Sequence, residues 1–207
     1  KSIILAAGGY GAKVLKEGNG KGIDYYGPMT STGDSYQFTH ALSLKVHDSD
    51  WLKIYPHGVE VEPGIAKLTT YASKLATDMG AIYVNKEGKR IVNESEVYTK
   101  FRDAILKQSG RVAYLIMDER TWKEFYKLLL LHDFSENEIK EYLKNDGSKN
   151  PIFVKGSLEE IATKAKIDGN ELITTLKKYR EYVVNGEDLE FGRTNDCMHL
   201  FEGNTFY

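Results

Sequence analysis

Residues 81–93 read AIYVNKEGKRIVN, in which two short apolar runs flank the polar segment KEGK. The runs at 81–85 and 90–93 have the length and composition of β-strands, and Gly88 lies where a tight turn needs a positive φ. The segment therefore predicts a β-hairpin.

Upstream of the hairpin, apolar residues recur at steps of three and four between positions 64 and 79, which predicts an amphipathic helix that ends at Gly80. The start of the chain is glycine-rich. There the apolar run at 1–9 reads as a buried strand entering a glycine turn, and a helix is expected at about 35–44.

Downstream of the hairpin we expect a helix at about 99–108, a strand at 112–118 and then a helical second half. The pattern Ser/Thr/Asp-x-x-Glu indicates helix starts, because the two side chains satisfy exposed backbone N–H groups. It occurs at Thr121/Glu124, Ser135/Glu138, Ser157/Glu160 and Asp168/Glu171. The polar segment 144–151, which contains glycine and ends in proline, is the predicted internal linker. The fold class is α+β, with a small sheet and surrounding helices.

Composition excludes several classes of protein. The 28 Lys and Arg residues nearly balance 30 Asp and Glu, without long runs of one sign, so no nucleic-acid or membrane footprint is expected. Cys197 is the single cysteine, and the five histidines lack metal-binding spacing, so neither an intrachain disulfide nor a metal site is predicted. No apolar segment approaches the roughly 20 residues of a membrane span. The compartment stays open.

Three short segments could carry chemistry. Gly8-Gly9 ends the predicted opening strand, and it is either a bare structural turn or a contact with a phosphate or cofactor. Thr32-Gly33-Asp34 directly precedes a predicted helix, where Asp34 is either a helix cap or a neighbour of a cofactor hydroxyl or phosphate. His57 follows Tyr55-Pro56 in a loop and is either an acid–base group or an ordinary histidine.

Several segments carry a family resemblance through their order and spacing. They are IILAAGGY at 3–10, TGD at 32–34, GAIYVNKEGKR at 80–90 with Asn93-Glu94, AILKQ at 104–108, YLIMD at 114–118, and SLEEIA at 157–162 through YREY at 179–182 to GED at 186–188 and FGR at 191–193. Together they resemble the fumarate reductase flavoproteins, especially the soluble flavocytochrome-type branch that includes urocanate reductase.

The resemblance implies a two-domain enzyme in which FAD lies in one domain and an α+β capping domain closes over the substrate. Residues 1–45 would then be a remnant of the FAD-binding domain, 46–200 the capping domain, and 201–207 the start of the return to the FAD-binding domain. We expect the chain alone neither to retain FAD nor to turn over. The implied reaction is hydride transfer from flavin N5 to an activated C=C bond, with protonation of the neighbouring carbon by a residue of the cap.

The resemblance also implies roles for single residues. The cofactor positions are Gly8, Gly9, Thr32, Gly33 and Asp34, and the substrate positions are Tyr55, His57, Ser73, Lys74 and Thr77. Tyr98 occupies the position of the family's proton-donating arginine, although a shifted register would bring Arg102 there.

The chain departs from the fumarate pattern at five of these positions. Tyr55 replaces a histidine, Tyr98 an arginine, Ser73-Lys74 the usual Thr-Glu, and Thr77 an arginine. Arginine offers a cationic fork for a carboxylate whereas tyrosine offers one neutral hydroxyl, so the expected substrate is an enoate or enone other than fumarate.

The expected partners are a small unsaturated acid or ketone, the FAD-binding domain and a possible FMN or heme electron-transfer domain. Two alternatives stay open. One is a degenerate cap that binds a ligand without chemistry, and the other is a flavin-dependent ketosteroid-type dehydrogenase, in which tyrosines serve the reverse reaction.

Overall fold

The computed structural model describes residues 2–14, 20–48 and 51–207. The chain forms two compact units. The smaller unit comprises Lys1–Ile54 and Glu60–Lys67, and the larger unit comprises Tyr55–Val59 and Leu68–Tyr207.

The smaller unit contains two helices, α1 (Gly11–Val14) and α2 (Asp34–Ala41), of which α2 confirms the helix predicted at 35–44. The buried strand predicted at the start is wrong for the described residues 2–9, which form no strand, and Ile3 and Ile4 are each 90% exposed. A strand needs a hydrogen-bonded neighbour, and no described strand pairs with this segment.

A second hairpin, β1 (Gly58–Glu62) and β2 (Ile65–Leu68), contributes residues to both units. The prediction of one helix over 64–79 is therefore wrong in its first part, and helix α3 covers only Thr70–Asp78. The reason is the turn at Pro63-Gly64, where Gly64 has a φ of 79° and reverses the chain, so that the residues after it pair as a strand.

The sheet of the larger unit joins β3 (Ile82–Val84) and β4 (Tyr114–Ile116) antiparallel, with Ile82 opposite Ile116. The strand predicted at 90–93 is reduced to a single bridge between Val84 and Arg90. The predicted turn is confirmed at Gly88, where φ is 78°. A side chain there would begin 2.6 Å from the backbone nitrogen of Leu172, so only glycine fits.

The larger unit is otherwise mainly helical. Its helices are α4 (Tyr98–Leu106), α5 (Glu119–Leu129), α6 (Glu136–Asn145), α7 (Leu158–Ala165) and α8 (Gly169–Asn185), with short 3-10 turns at Ser109–Arg111 and Asn195–Cys197. Reciprocal capping boxes confirm the starts predicted at Ser135 and Ser157, and Asp168 caps α8. The start predicted at Thr121 is wrong because Asp118 caps α5 by accepting the N–H of Thr121 at 2.8 Å.

The two faces of β3 serve different cores. Ile82 and Val84 point into the main core, which α7, α8 and Phe206 complete. Tyr83 points to the other face, where Phe101 and Ile105 of α4 cover it. This alternation of a strand turns Tyr83 toward the region in which the candidate site lies.

The last residues of the chain close the larger unit. Phe206 forms bridges with Asp118 and Gly156, and Met117 and Tyr207 exchange backbone hydrogen bonds of 3.1 and 2.9 Å. In the described part of the chain, no helix has the length and apolar character of a membrane span.

Candidate active site

The two glycine turns predicted to approach a cofactor lie side by side in the smaller unit. The N–H of Gly33 donates to the carbonyl of Gly9 at 3.1 Å, and Tyr10 packs edge-on against Tyr36 with ring centroids 4.5 Å apart. The two turns, which are more than twenty positions apart in the sequence, thus contact each other.

The backbone at these turns fits a nucleotide cofactor. Gly8 has a φ of 84°, and no atom lies within 4 Å of where a side chain would begin at Gly8 or Gly9, so the backbone there is open to a ligand. Gly33 is the N-cap of α2 with a φ of 80°, and a side chain there would begin 2.7 Å from Cβ of Tyr10.

The interpretation of Asp34 as a cap of α2 is wrong. The helix begins at Asp34 itself and has no side-chain cap, and the carboxylate instead accepts the hydroxyl of Thr32 at 2.9 Å. Because no side chain caps the start of α2, N–H groups of its first turn can bind polar ligand atoms, whereas the carboxylate of Asp34 disfavours anions there.

Five rings form an aromatic cluster in the larger unit: Tyr55, His57, Tyr83, Tyr98 and Phe101. Tyr55 and Tyr98 stack with centroids 6.3 Å apart at 22°. His57 stacks on Phe101 at 4.8 Å, and Tyr83 meets the same ring edge-on at 4.6 Å. The first turn of α4 supplies both Tyr98 and Phe101, since residues three apart share a helix face.

Hydrogen bonds tie this cluster to α3. The Nδ1 atom of His57 lies 3.2 Å from the hydroxyl of Tyr83, and the carbonyl of His57 accepts the N–H of Thr69 at 3.1 Å. The hydroxyls of Thr69 and Ser73 are 2.9 Å apart.

These surroundings favour neutral forms of both groups. Burial, assisted by the nearby charge of Lys74, lowers the pKa of His57 to about 4. Burial also raises the pKa of Tyr83 well above its usual value, so its hydroxyl keeps its proton.

The structure thus brings together four of the predicted substrate and catalytic residues, Tyr55, His57, Ser73 and Tyr98. The polar side-chain groups of the other three bond to neighbours outside this group. The ammonium of Lys74 pairs with Asp78. Thr77 is buried and donates its hydroxyl to the carbonyl of Lys74 at 2.9 Å.

Arg102 is engaged on its own helix, where it lies 2.7 Å from the carboxylate of Asp103. The cations at the predicted positions are therefore already compensated by neighbouring carboxylates.

Beneath the cluster lies a buried ion network of Arg90, Glu94, Asp188 and Arg193, whose side chains are fully inaccessible to solvent. Arg90 binds Glu94 at 2.7 and 3.2 Å and Asp188 at 2.9 and 3.1 Å. Arg193 donates to Glu94 at 3.2 Å. Burial alone would lower the pKa of Arg90, but the two carboxylates outweigh it and raise that pKa.

The network holds the backbone around the site. Arg193 donates to the carbonyl of Ala81 at 3.1 Å and to that of Thr77, at the C-terminal end of α3. Glu94 accepts the N–H of Tyr83 at 3.2 Å. The strand residue that touches His57 through its hydroxyl is therefore anchored to the network through its amide.

The sequence prediction missed Thr69, Tyr83 and Phe101 as members of the site. Two features of the sequence could have identified Tyr83 and Phe101. Tyr83 alternates with Ile82 and Val84 along a strand, so it faces the opposite side, and Phe101 follows Tyr98 by three residues on a predicted helix.

The family of the chain follows from comparison with known proteins. A family model described as FAD binding domain matches residues 1–206. The chain belongs to this family. Membership implies FAD as the cofactor. A probable fumarate reductase of Shewanella frigidimarina is 28% identical over 211 residues, which are 97% of this chain and 31% of the relative. The chain thus spans about a third of the length of the curated relatives that it matches.

Solved structures agree with this assignment. The fumarate reductase flavoprotein subunit from Lactobacillus plantarum is 64% identical, with a TM-score of 0.62 over 72% of this chain and 92% of that one. A flavocytochrome c3 fumarate reductase in its open conformation is 26% identical, with a TM-score of 0.69 over 100% of this chain and 34% of that one. The resemblance to fumarate reductase flavoproteins, with helices and small antiparallel sheets, is confirmed.

Proposed function

We propose that the protein to which this chain belongs is a flavin-dependent reductase of an activated C=C bond in an enoate or enone other than fumarate. In this proposal 46–200 is the capping domain, and 1–45 and 201–207 belong to the FAD-binding domain. The observation that carries the proposal is the stacked pair Tyr55 and Tyr98, which bears neutral hydroxyls at the two positions where fumarate reduction calls for charged or ionisable groups.

FAD, when bound, supplies a hydride from N5 to one carbon of the double bond. The residues that would hold it are Gly8, Gly9, Thr32, Gly33 and Asp34. The open backbone at Gly8 and Gly9 suits a phosphate, whereas the carboxylate of Asp34 suits a hydroxyl-bearing group, because it accepts hydrogen bonds and repels anions.

The aromatic cluster would bind the substrate. Flat rings at Tyr55 and Tyr98 suit a planar conjugated group, and neutral His57 can bind its oxygen atoms. Lys74 and Arg102 already pair with neighbouring carboxylates, so a dicarboxylate such as fumarate would be held poorly.

Tyr98 would supply the proton. As the first residue of α4 it is 46% exposed, and its phenol can protonate the carbon next to the one that receives the hydride. One hydride and one proton complete the two-electron reduction, and solvent returns a proton to Tyr98. An FMN or heme electron-transfer domain is the proposed source of electrons for the flavin.

A second candidate is a ketosteroid-type dehydrogenase, in which the reaction removes hydrogen. The paired tyrosines favour it because a phenol can polarise a ketone. This reaction would reduce oxidised flavin in the presence of a saturated ketone, which is the opposite spectral change.

The test uses the full-length protein with FAD. Flavin is reduced anaerobically, and its absorbance is followed as each member of a panel of enoates, enones and fumarate is added. We expect reoxidation by an enoate or enone and much slower reoxidation by fumarate. A lack of flavin binding, or no reoxidation by any member, would instead indicate the degenerate cap.

Tyr98→Phe then tests the proton donor. The expected result is a loss of at least about tenfold in kcat, since general acid catalysis typically contributes more than this. Tyr71→Phe is the matched control, because Tyr71 is 74% exposed and lies outside the aromatic cluster. Equal turnover in both variants would remove Tyr98 from the mechanism.

A further inference from the structure

A buried hydroxyl lies against one nitrogen of His57. The hydroxyl of Tyr83 is 3.2 Å from Nδ1 of His57, and Tyr83 is buried. The phenol has one hydrogen to donate, so the direction of this hydrogen bond decides which nitrogen of His57 carries a proton.

Only one direction gives the hydrogen of Tyr83 an acceptor. Among the described residues, Nδ1 of His57 is the acceptor that lies within hydrogen-bond distance of this hydroxyl. If Nδ1 donated instead, the hydroxyl hydrogen of Tyr83 would be buried without an acceptor. Such a buried unpaired donor costs free energy, so Tyr83 donates to His57.

The state of the imidazole agrees with this direction. Burial and the charge of Lys74 keep His57 neutral at pH 7. A neutral imidazole that accepts a hydrogen at Nδ1 carries its own proton at Nε2. The stack of His57 on Phe101, with centroids 4.8 Å apart, restricts rotation of the ring.

We propose that Tyr83 is a positioning residue that holds His57 in the Nε2-protonated neutral tautomer, so that the site has a fixed uncharged donor for a carbonyl or carboxylate oxygen. The statement that this oxygen belongs to a substrate rests on the proposed function. The tautomer of His57 does not depend on the proposed function.

His132 offers an internal contrast. The backbone N–H of Tyr71 donates to Nε2 of His132 at 3.1 Å, and the two rings stack at 5.3 Å. A backbone amide can only donate, so Nε2 of His132 is an acceptor and its proton lies on Nδ1. The two histidines are therefore expected to show opposite tautomers in one molecule.

The experiment is long-range ¹H–¹⁵N NMR of the 207-residue chain labelled at histidine nitrogens, at about pH 7.5. His57→Gln and His132→Gln assign the signals. We expect a pyrrole-type Nε2 for His57 and a pyrrole-type Nδ1 for His132. An Nδ1-protonated His57 in the wild-type chain would overturn the inference without any variant.

Tyr83→Phe keeps the ring beside Phe101 and removes the hydroxyl, so we expect loss of the single tautomer at His57 and no change at His132. Tyr114→Phe is the control, because Tyr114 packs against the main core instead. A single Nε2-protonated His57 in Tyr83→Phe would refute the positioning role.

Activity tests the donor role separately. In the full-length enzyme, His57→Gln retains an uncharged N–H donor and His57→Phe does not, so we expect kcat/KM to be about tenfold lower in His57→Phe than in His57→Gln. Equal losses would refute the donor role. Failure of the reductase proposal appears instead as absent flavin reoxidation in the wild-type protein, which leaves the tautomer result intact.

Discussion

Replacing Glu94 by Gln tests whether the buried ion network holds the larger unit together. In the folded chain the positive charges of two arginines balance the negative charges of two carboxylates, and all four side chains are inaccessible to solvent. Glu94 accepts three hydrogen bonds from the arginines and one from the amide of Tyr83. The substitution leaves one uncompensated buried positive charge. Breaking a buried ion pair in this way costs about 3–5 kcal/mol. A typical domain is stable by about 5–15 kcal/mol, so the loss is a large fraction of the total.

Urea unfolding followed by Trp122 fluorescence measures this loss. Trp122 stacks on Tyr207 at 4.5 Å within the larger unit, and a Trp51→Phe background removes the signal of the 81% exposed tryptophan in the smaller unit. The matched control is Glu96→Gln, two positions away, where the carboxylate forms one solvent-exposed ion pair with Lys100 and the midpoint is expected to stay unchanged.

A double variant makes the reasoning about charge refutable. Adding Arg193→Met to Glu94→Gln restores charge balance, so the double variant is expected to lose less stability than the sum of the single variants. Strict additivity would show that lost packing, and not the stranded charge, dominates. A midpoint of Glu94→Gln equal to that of the exposed control would refute the structural role of the network.

Two further predictions concern other parts of the larger unit. The pKa of His57 falls from an ordinary 6.5 to about 4 on folding, so the unfolded chain binds a proton at a higher pH than the folded chain does. The contribution of neutral His57 to stability is therefore fully present above about pH 6.5 and is lost as the pH falls toward 4. The loss is on the order of 3 kcal/mol, and His57→Gln is expected to flatten stability over this range in urea titrations. Gly88→Ala is expected to destabilise by more than about 1 kcal/mol, because φ is positive and the backbone of α8 lies 2.6 Å from the new Cβ. Thermal melts measure the loss of stability. Gly110 also has a positive φ but has open space around it, so Gly110→Ala in the same measurement shows the cost of the φ without the clash.

Local signals in the sequence predicted the local structure well. Ser135 and Ser157 cap their helices as the Ser-x-x-Glu pattern predicts, because a cap depends on residues only three positions apart. The pattern misled at Thr121, since Asp118 caps α5 three residues earlier and accepts the N–H of Thr121 itself. Apolar spacing likewise misled at 65–68, where a turn fixed by Pro63-Gly64 overrides helical periodicity.

Contacts between distant residues could not be predicted from spacing. Arg90 and Asp188 are 98 positions apart, and only the fold shows that they share one buried network. The segments that carry the family resemblance did include both residues, so the sequence marked them without showing their interaction. The grouping of Tyr55, Ser73 and Tyr98 came from the resemblance as well, and their roles stay predictions.

The location of Tyr55 and Tyr98 has a consequence for how such a protein can change. Tyr98 opens α4 at the surface and Tyr55 precedes β1 in a loop, and neither belongs to the buried cores or the ion network. New side chains at these two positions therefore alter the surface offered to a ligand at little cost to folding. A library randomised at both positions should consist mainly of folded members, and ligand preference can diverge among relatives while the scaffold stays intact.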